Sequence, residues 1–269
     1  MIYLKTQEEM AMMIEGGQIL AGIKRQLAQT VRPGTTGKEI DDLARELIIK
    51  AGAKVSFAME PGYHWATCID INDGVVHGIP NDYKFQEGDI VGLDVGLFFK
   101  GLHSDTTTTV GVGKLSQENQ KMLEIGRLAL SKAISTTKVG RNISDISRVI
   151  EATVKREGFS PVAALSGHGI GKHLHEDPFI PCVFVDGEQS PKIEVGMGLA
   201  IEVIYTAGSG EVAYGSQIGL DGMRKGSKGD GWTIVSLDGK ISAAFEETVV
   251  VTRSGVIVTT RGQEGDPKS

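Results

Sequence analysis

Two aspartates that interrupt strand-like hydrophobic segments are the feature of this sequence that most restricts its fold. Residues 88–113 read GDIVGLDVGLFFKGLHSDTTTTVGVG, where Asp94 lies inside an apolar run and Asp105 opens a threonine-rich segment. Both segments have the composition of β-strands. A buried carboxylate without a partner is costly, so buried charges normally pair or hold a metal ion. The sequence therefore predicts two strands with a cationic group between their aspartates.

The alternation of side chains along a strand predicts which face of the first segment carries its carboxylate. Gly92 and Asp94 share one face, whereas Val91, Leu93 and Val95 share the other. The valine and leucine face should pack against a second layer, and the small Gly92 should lie beside the site.

Hydrophobic periodicity predicts four helices. They are expected at residues 7–30, from Thr36 to just before Gly52, at 115–137 and at 143–157. Thr36 and Glu39 have the spacing of a capping box, and Gly52 and Gly158 are helix-ending residues. The ends, 1–5 and 262–269, are expected to be loosely held. The glycine-rich stretch 209–231 is expected to be a long surface loop, at the mouth of a site.

A shift of 106 positions relates the second helix to the fourth. The matched pairs are Gly34 and Gly140, Ile40 and Ile146, Leu43 and Val149, Ile48 and Val154, and Gly52 and Gly158. This repeat predicts a single domain, 1–269, with related halves at about 6–113 and 114–260. Strand-like segments follow each helix pair, which predicts an α+β fold with an antiparallel-rich sheet and helices on one face.

The second half also has carboxylates in apolar strands. Glu202 interrupts GLAIEVIYTAG, two residues from the position that the repeat predicts for an equivalent of Asp94. Glu246 and Glu247 begin another apolar strand, and alternation alone does not choose between them. His168 lies between glycines in SGHGIGKHLHEDP. Four carboxylates and one imidazole suit two divalent cations such as Mn, Fe(II), Co or Zn.

The overall composition excludes several classes of protein. The net charge of −6 and the pI of about 5.6 argue against a nucleic-acid-binding surface. Cys68 and Cys182 provide no disulfide framework and no paired zinc motif, which is typical of a reducing compartment. No signal peptide and no apolar run of about 20 residues is visible. We therefore expect a cytoplasmic protein without a membrane partner.

Five motifs carry a resemblance to a known family. They are INDGVVHGIP at 71–80, GDIVGLDV and GLHSDTTTTVGVG within 88–113, GHGIGKHLHEDP at 167–178, LAIEV at 199–203 and SAAFEETVVVT at 242–252. In this order and spacing they resemble the type I methionine aminopeptidases over nearly the whole chain. The gap from His168 to Glu202 is too short for the helical insert of the type II enzymes. The resemblance implies the pita-bread fold, a pseudo-twofold α+β domain with a curved sheet covered by two helix pairs.

The resemblance also implies a ligand set and an activity. The five metal ligands would be Asp94, Asp105, His168, Glu202 and Glu246, with Asp105 and Glu246 bridging two divalent ions. The implied reaction of this single catalytic domain is removal of N-terminal methionine from nascent proteins and peptides. Glu202 would also transfer the proton of the attacking hydroxide or water.

Five further residues match substrate positions of the family. His77 and His175 would contact the substrate near the scissile bond, and Tyr63, Cys68 and Trp232 would belong to the methionine pocket. Two departures concern neighbouring positions. Glu247 follows the last ligand where the family often has His, and Glu60 and Trp65 change the pocket loop.

Two other functions remain open at this point. A prolidase or aminopeptidase P would cleave X-Pro bonds on the same fold, although such enzymes usually carry an additional N-terminal domain. A non-catalytic pita-bread protein would bind RNA or other partners, and such proteins lose ligands and gain basic surface. The expected partners are a peptide with a free N-terminal methionine and the ribosome. Neither nucleic acid nor membrane is expected, and the chain is expected to be a monomer.

Overall fold

The computed structural model describes residues 1–187, 190–214 and 230–262. Its α-helices are α1 (Gln7–Thr30), α2 (Gly37–Lys50), α3 (Gln117–Thr136) and α4 (Ile143–Arg156). At the start of α2, Thr36 Oγ1 accepts a hydrogen bond from Glu39 N, and the Glu39 carboxylate accepts one from Thr36 N. The four predicted helices and this capping box are confirmed.

The described strands form three antiparallel sheets. The strands are β1 (Lys54–Val55), β2 (Thr67–Ile71), β3 (Gly74–Val76), β4 (Ile90–Phe99), β5 (Leu102–Gly111), β6 (Ser160–Pro161), β7 (Ser166–Gly169), β8 (Glu176–Pro181), β9 (Gly198–Thr206), β10 (Val212–Tyr214), β11 (Ile234–Ser236), β12 (Ser242–Thr252) and β13 (Gly255–Val258). In the first sheet β4 pairs with β1, β2 and β5; in the second, the order is β13-β12-β9-β7-β8 with β6 beside β9. The small third sheet, β10-β11-β3, joins the two halves.

The two halves repeat in their hydrogen bonds as well as in their helices. Gly34 N donates to Phe85 O at 2.8 Å, and Gly140 N donates to Ile193 O at 2.9 Å. The donors are 106 positions apart, whereas the acceptors are 108 apart. Two additional residues therefore precede the central strands of the second half. This insertion explains why Glu202 lies two positions beyond the place expected from Asp94.

The helices cover the apolar faces of both sheets. Val91, Leu93 and Val95 of β4 are fully buried in one core together with Leu20 of α1 and Ile40 of α2. A second core packs α3 and α4 against β9 and β12. The predicted orientation of β4 is confirmed, because its valines and leucine face the helices. The carboxylate face of β4 consequently points away from them.

The prediction of loosely held chain ends and the prediction of a long surface loop were each wrong in part. Lys5 N donates to Gly196 O at 2.7 Å, and the Lys5 ammonium forms a buried ion pair with Glu176 at 2.7 Å, so the N-terminal segment is held against β8. Within the stretch 209–231, Val212–Tyr214 form strand β10 because they pair with β11. Residues 215–229 and 263–269 lie outside the described residues.

None of the described helices combines the length and the apolar character needed to cross a lipid bilayer.

Candidate metal centre

Four carboxylates, two from each half, point into one cavity of about 150 Å³. Asp94 lies on β4, Asp105 on β5, Glu202 on β9 and Glu246 on β12. Glu202 and Glu246 are directly paired in the β9–β12 ladder, whereas Asp94 pairs with Thr107 in the β4–β5 ladder. The central strands of the two sheets therefore meet at this cavity with their charged positions facing one another.

Asp105, His168 and Glu246 form the tightest part of this cluster. Each offers a ligand atom within 4.8 Å of those of the other two, and all three side chains are buried. Asp94 and Glu202 are partly accessible and line the same cavity. All five residues predicted as ligands are thus brought together.

His168 reaches the cluster on β7, a strand that the sequence did not predict. β7 pairs with β9 beside Ala200. A Cβ on Gly167 would lie 2.5 Å from Ala200 O, and one on Gly169 would lie 2.2 Å from Asp177 O. Only glycine allows these backbones to approach so closely. A strand built around glycines has no apolar alternation, so the Gly-His-Gly pattern was the only available signal.

One hydrogen bond orients the His168 ring. Nδ1 lies 2.8 Å from Gly169 O, and a carbonyl can only accept, so Nδ1 carries the hydrogen. Burial lowers the pKa of His168 to about 3, and the ring is therefore neutral at physiological pH. Its Nε2 lone pair is left directed at the carboxylates, 3.4 Å from Glu202 Oε1. Metal-binding histidines are commonly held in this way.

Hydrogen bonds do not satisfy all of the buried carboxylate oxygens in the cluster. Burial, followed by repulsion from neighbouring carboxylates, raises the pKa values of Asp105, Glu202 and Glu246 well above their ordinary range. Burial also raises the pKa of Asp94 to about 6. Among the described residues, Asp94 Oδ1 and Glu246 Oε1 are buried without a hydrogen-bond partner. A divalent cation fits this set, because oxygen-rich ligation with one imidazole is typical of catalytic metal sites.

An aromatic wall closes one side of the cavity. Tyr63 and Trp232 pack edge to face with their ring centroids 5.1 Å apart, and both line the cavity together with Cys68. The Tyr63 hydroxyl donates to Thr67 O at 2.8 Å and lies 3.2 Å from Cys68 Sγ. Burial raises the pKa values of both Tyr63 and Cys68. The three predicted pocket residues therefore form one continuous, largely apolar surface.

Two further histidines border the cluster. His175 packs edge to face on His168, with ring centroids 4.5 Å apart. His77 has a backbone φ of +60°, a conformation that L-residues rarely adopt. Loss of hydration at the cavity wall lowers the pKa values of both histidines, so each can donate one ring N–H as a neutral imidazole.

Comparison with known proteins settles the family. A sequence profile of metallopeptidase family M24 matches residues 11–253. The chain belongs to this family. It is 40% identical to a methionine aminopeptidase of Clostridium perfringens over 97% of this chain and 99% of that relative. It is 37% identical to methionine aminopeptidase 1 of Bacillus subtilis over 97% and 100% of the two chains.

Solved structures give the same result. The crystal structure of methionine aminopeptidase from Thermotoga maritima superposes with a TM-score of 0.88 at 35% identity, covering 97% of this chain and all of that one. An Xaa-Pro dipeptidase from Bacillus anthracis shares the fold with a TM-score of 0.73 at 21% identity, but this chain covers only 62% of it. The predicted methionine aminopeptidase resemblance, pita-bread fold and metallopeptidase class are confirmed.

Glu247 stands at the position after the last predicted ligand, where the family was expected to have His. The structure shows which residues Glu247 contacts. Glu246 lines the cavity, and its Oε2 accepts a hydrogen bond from Thr107 at 2.9 Å. Glu247 points to the opposite face of β12, where its Oε2 lies 3.1 Å from Lys24 Nζ and 2.5 Å from Thr260 Oγ1. The departure is therefore accommodated by an ion pair with α1, away from the cavity.

The other departures lie in the pocket loop. Glu60 lines the cavity, and its negative charge partly opposes the lowering of the His175 pKa. Desolvation has the larger effect, so the pKa of His175 remains below its ordinary value. Trp65 packs edge to face on Tyr63 at 5.3 Å, so it supports the aromatic wall from one side.

Asp70 is a cavity residue of this metallopeptidase that the sequence reasoning missed. It is buried, lines the cavity and accepts a hydrogen bond from Gly78 N at 2.9 Å. The pKa of Asp70 is raised to about 8, mainly by burial and secondly by repulsion from Asp94. Asp70 interrupts the apolar segment ATCIDI of β2 as Asp94 interrupts β4, so a search for carboxylates inside apolar strands would have found it.

Proposed function

We propose that this metallopeptidase removes methionine from the N-terminus of peptides and nascent proteins, and that the whole chain acts as one catalytic domain. The observation that carries the proposal is the union, in one cavity, of the carboxylate and histidine cluster with the aromatic wall. The similarity to methionine aminopeptidases over their full length supports the same substrate. The shorter overlap with the Xaa-Pro dipeptidase gives no comparable support to the X-Pro alternative.

In this proposal, Asp94, Asp105, His168, Glu202 and Glu246 hold two divalent ions, drawn from Co, Mn, Fe and Zn. Asp105 and Glu246 would be ligands shared by both ions. When bound, the ions supply Lewis acidity that makes water a nucleophile at neutral pH. Two cations would also offset four buried negative charges, which supports a count of two.

The chain's own residues then have distinct roles. Glu202 accepts the proton of the attacking water and passes it to the amine that leaves as the C–N bond breaks. His77 and His175 hold the scissile amide and donate hydrogen bonds to the oxygen on which charge develops. The methionine side chain binds against Tyr63, Cys68 and Trp232, because a polarisable thioether makes favourable contacts with aromatic rings.

The test compares two peptides and one variant. Purified protein supplied with Mn(II) or Co(II) should release methionine from Met-Ala-Ser but no residue from an X-Pro peptide in which X is not methionine. Asp105→Asn should abolish release, since a carboxylate oxygen of the cluster and its negative charge are lost. An active Asp105→Asn enzyme would overturn the ligand assignment, and X-Pro cleavage would overturn the substrate. A chain that binds neither metal would favour a non-catalytic binding protein.

Other parts of the sequence-based prediction remain proposals. A cytoplasmic location agrees with two buried, free cysteines, Cys68 and Cys182. Action on nascent chains would place the enzyme near the ribosome, and we propose that it acts as a monomer. Size-exclusion chromatography with light scattering and co-sedimentation with ribosomes would test these two points.

A further inference from the structure

The threonine-rich strand β5 lies beside β12, and threonine side chains link the two strands. In the described part of the chain, β5 forms a backbone ladder only with β4. Thr248 Oγ1 accepts a hydrogen bond from Asp105 N at 3.0 Å and donates one to Asp105 O at 2.7 Å. One hydroxyl of the second half thus satisfies both backbone groups of Asp105.

The same arrangement occurs a second time at this junction. Thr109 Oγ1 accepts from Ala244 N at 3.0 Å and donates to Ala244 O at 2.7 Å. A shift of 139 residues converts Thr109 into Thr248 and Asp105 into Ala244. We call each such pair a clamp: the Thr248 clamp binds the backbone N–H and C=O of Asp105, and the Thr109 clamp binds those of Ala244. The two clamps are equivalent under the pseudo-twofold symmetry, with the same hydrogen-bond distances and almost complete burial of both threonines.

The two clamps differ in what they hold. The Thr248 clamp holds Asp105, whose carboxylate belongs to the metal cluster, whereas the Thr109 clamp holds Ala244, which carries no ligand atom. Between them, Thr106 Oγ1 donates to Glu246 O at 2.9 Å and Thr107 Oγ1 donates to Glu246 Oε2 at 2.9 Å. The spacing of β5 and β12 thereby determines how Asp105 and Glu246 face each other.

We propose that Thr248 is a positioning residue that places Asp105 against Glu246 for metal binding, and that Thr109 is its purely structural counterpart. The proposal rests on the ligand assignment made under the proposed function. Losing the Thr248 hydroxyl leaves the buried N–H and C=O of Asp105 without partners. The backbone that carries one ligand can then shift relative to the strand that carries the other.

The symmetry supplies a matched experiment with near-isosteric variants. Thr248→Val and Thr109→Val each remove one hydroxyl from an equivalent clamp, and Thr248→Ser retains it. Binding of Mn(II) and Co(II) is measured by calorimetry on the metal-free proteins, and their Tm values are measured in parallel. Thr248→Val should bind metal about 10–100-fold more weakly, as when other ligand-orienting groups are lost. Thr109→Val should lower the Tm of the metal-free protein by a similar amount without weakening metal binding, and Thr248→Ser should restore most of the affinity.

Equal losses of affinity in both valine variants, or none in Thr248→Val, would overturn the proposal. If Thr248→Val does not fold, Thr248→Ala and Thr109→Ala are compared instead, at reduced temperature. Because metal binding is measured without substrate, a wild-type protein that binds metal but releases no methionine contradicts only the proposed function. A wild-type protein that binds neither metal overturns the ligand assignment and this inference with it.

Discussion

Glu202 and Glu246 face each other at directly paired positions of β9 and β12. Like charges directly opposite one another destabilise a sheet. Here the pairing is retained beside Asp105, and repulsion among these groups contributes to their raised pKa values. A bound divalent cation would offset this repulsion between the paired glutamates, so we expect metal binding and folding to be coupled in this protein.

Removal of metal should therefore lower stability as well as activity. A ligand present at about 100 times its dissociation constant stabilises the folded state by about 2.7 kcal/mol. We expect EDTA to lower the Tm and readdition of Mn(II) or Co(II) to restore it, as measured by differential scanning fluorimetry. The Asp105→Asn variant is the control and should show a much smaller shift. An identical Tm with and without metal would contradict the coupling.

The neighbouring glutamates on β12 should have separable roles. Glu246→Gln removes a cluster carboxylate, and kcat/KM on Met-Ala-Ser should fall at least about 1000-fold, equivalent to about 4 kcal/mol. Glu247→Gln keeps a hydrogen-bonding group near Thr260 but loses the ion pair with Lys24. It should lower the free energy of unfolding by about 1–3 kcal/mol and leave kcat/KM within about tenfold of the wild type. The reverse pattern would mean that the faces of β12 are assigned the wrong way round.

Gly167 should be intolerant of any side chain. In Gly167→Ala the new Cβ would lie 2.5 Å from Ala200 O, so β7 must move away from β9 and carry His168 with it. We expect a loss of about 1–3 kcal/mol in stability and weaker metal binding, measured by urea denaturation and calorimetry. Gly22→Ala on α1 is the control: its Cβ meets nothing within 4 Å, so it should stabilise by about 0.5–1 kcal/mol. Full metal affinity in Gly167→Ala would exclude the proposed role of β7.

Asp70 should act on His77 through the backbone of the next residue. Its Oδ1 accepts the N–H of Gly78, which follows the strained His77. Asp70→Asn keeps an acceptor oxygen, whereas Asp70→Leu leaves a buried N–H unpaired at a cost of about 1–3 kcal/mol. We expect Asp70→Leu to lower kcat by about 10–100-fold through misplacement of His77, with metal affinity unchanged. Steady-state kinetics of the two variants would show no difference if Asp70 only fills space.

Local patterns were sufficient for much of the fold. The helix limits followed from periodicity and capping residues such as Thr36, which act within one turn of the chain. The orientation of β4 followed from alternation, because Val91 and Asp94 differ so strongly in the cost of burial. The strand β7 could not be predicted in this way, because Gly167 is required by close approach to Ala200 of β9 and Gly169 by close approach to Asp177 of β8. Neither contact is recorded in a pattern within β7 itself.

The sequence by itself determined that two halves repeat, that each half buries carboxylates in apolar strands, and that its motifs resemble methionine aminopeptidases. Each of these signals lies in residues close together in the chain or in their order. Alternation alone did not choose between the two glutamates of β12, and the resemblance implied Glu246. The tertiary structure shows the contacts behind that choice, because Glu246 lines the cavity and Glu247 pairs with Lys24. It also gave the threonine run its place at the junction of the halves, where Thr109 and Thr248 bind the opposite strand. These outcomes depend on contacts between residues more than a hundred positions apart, which no local pattern records.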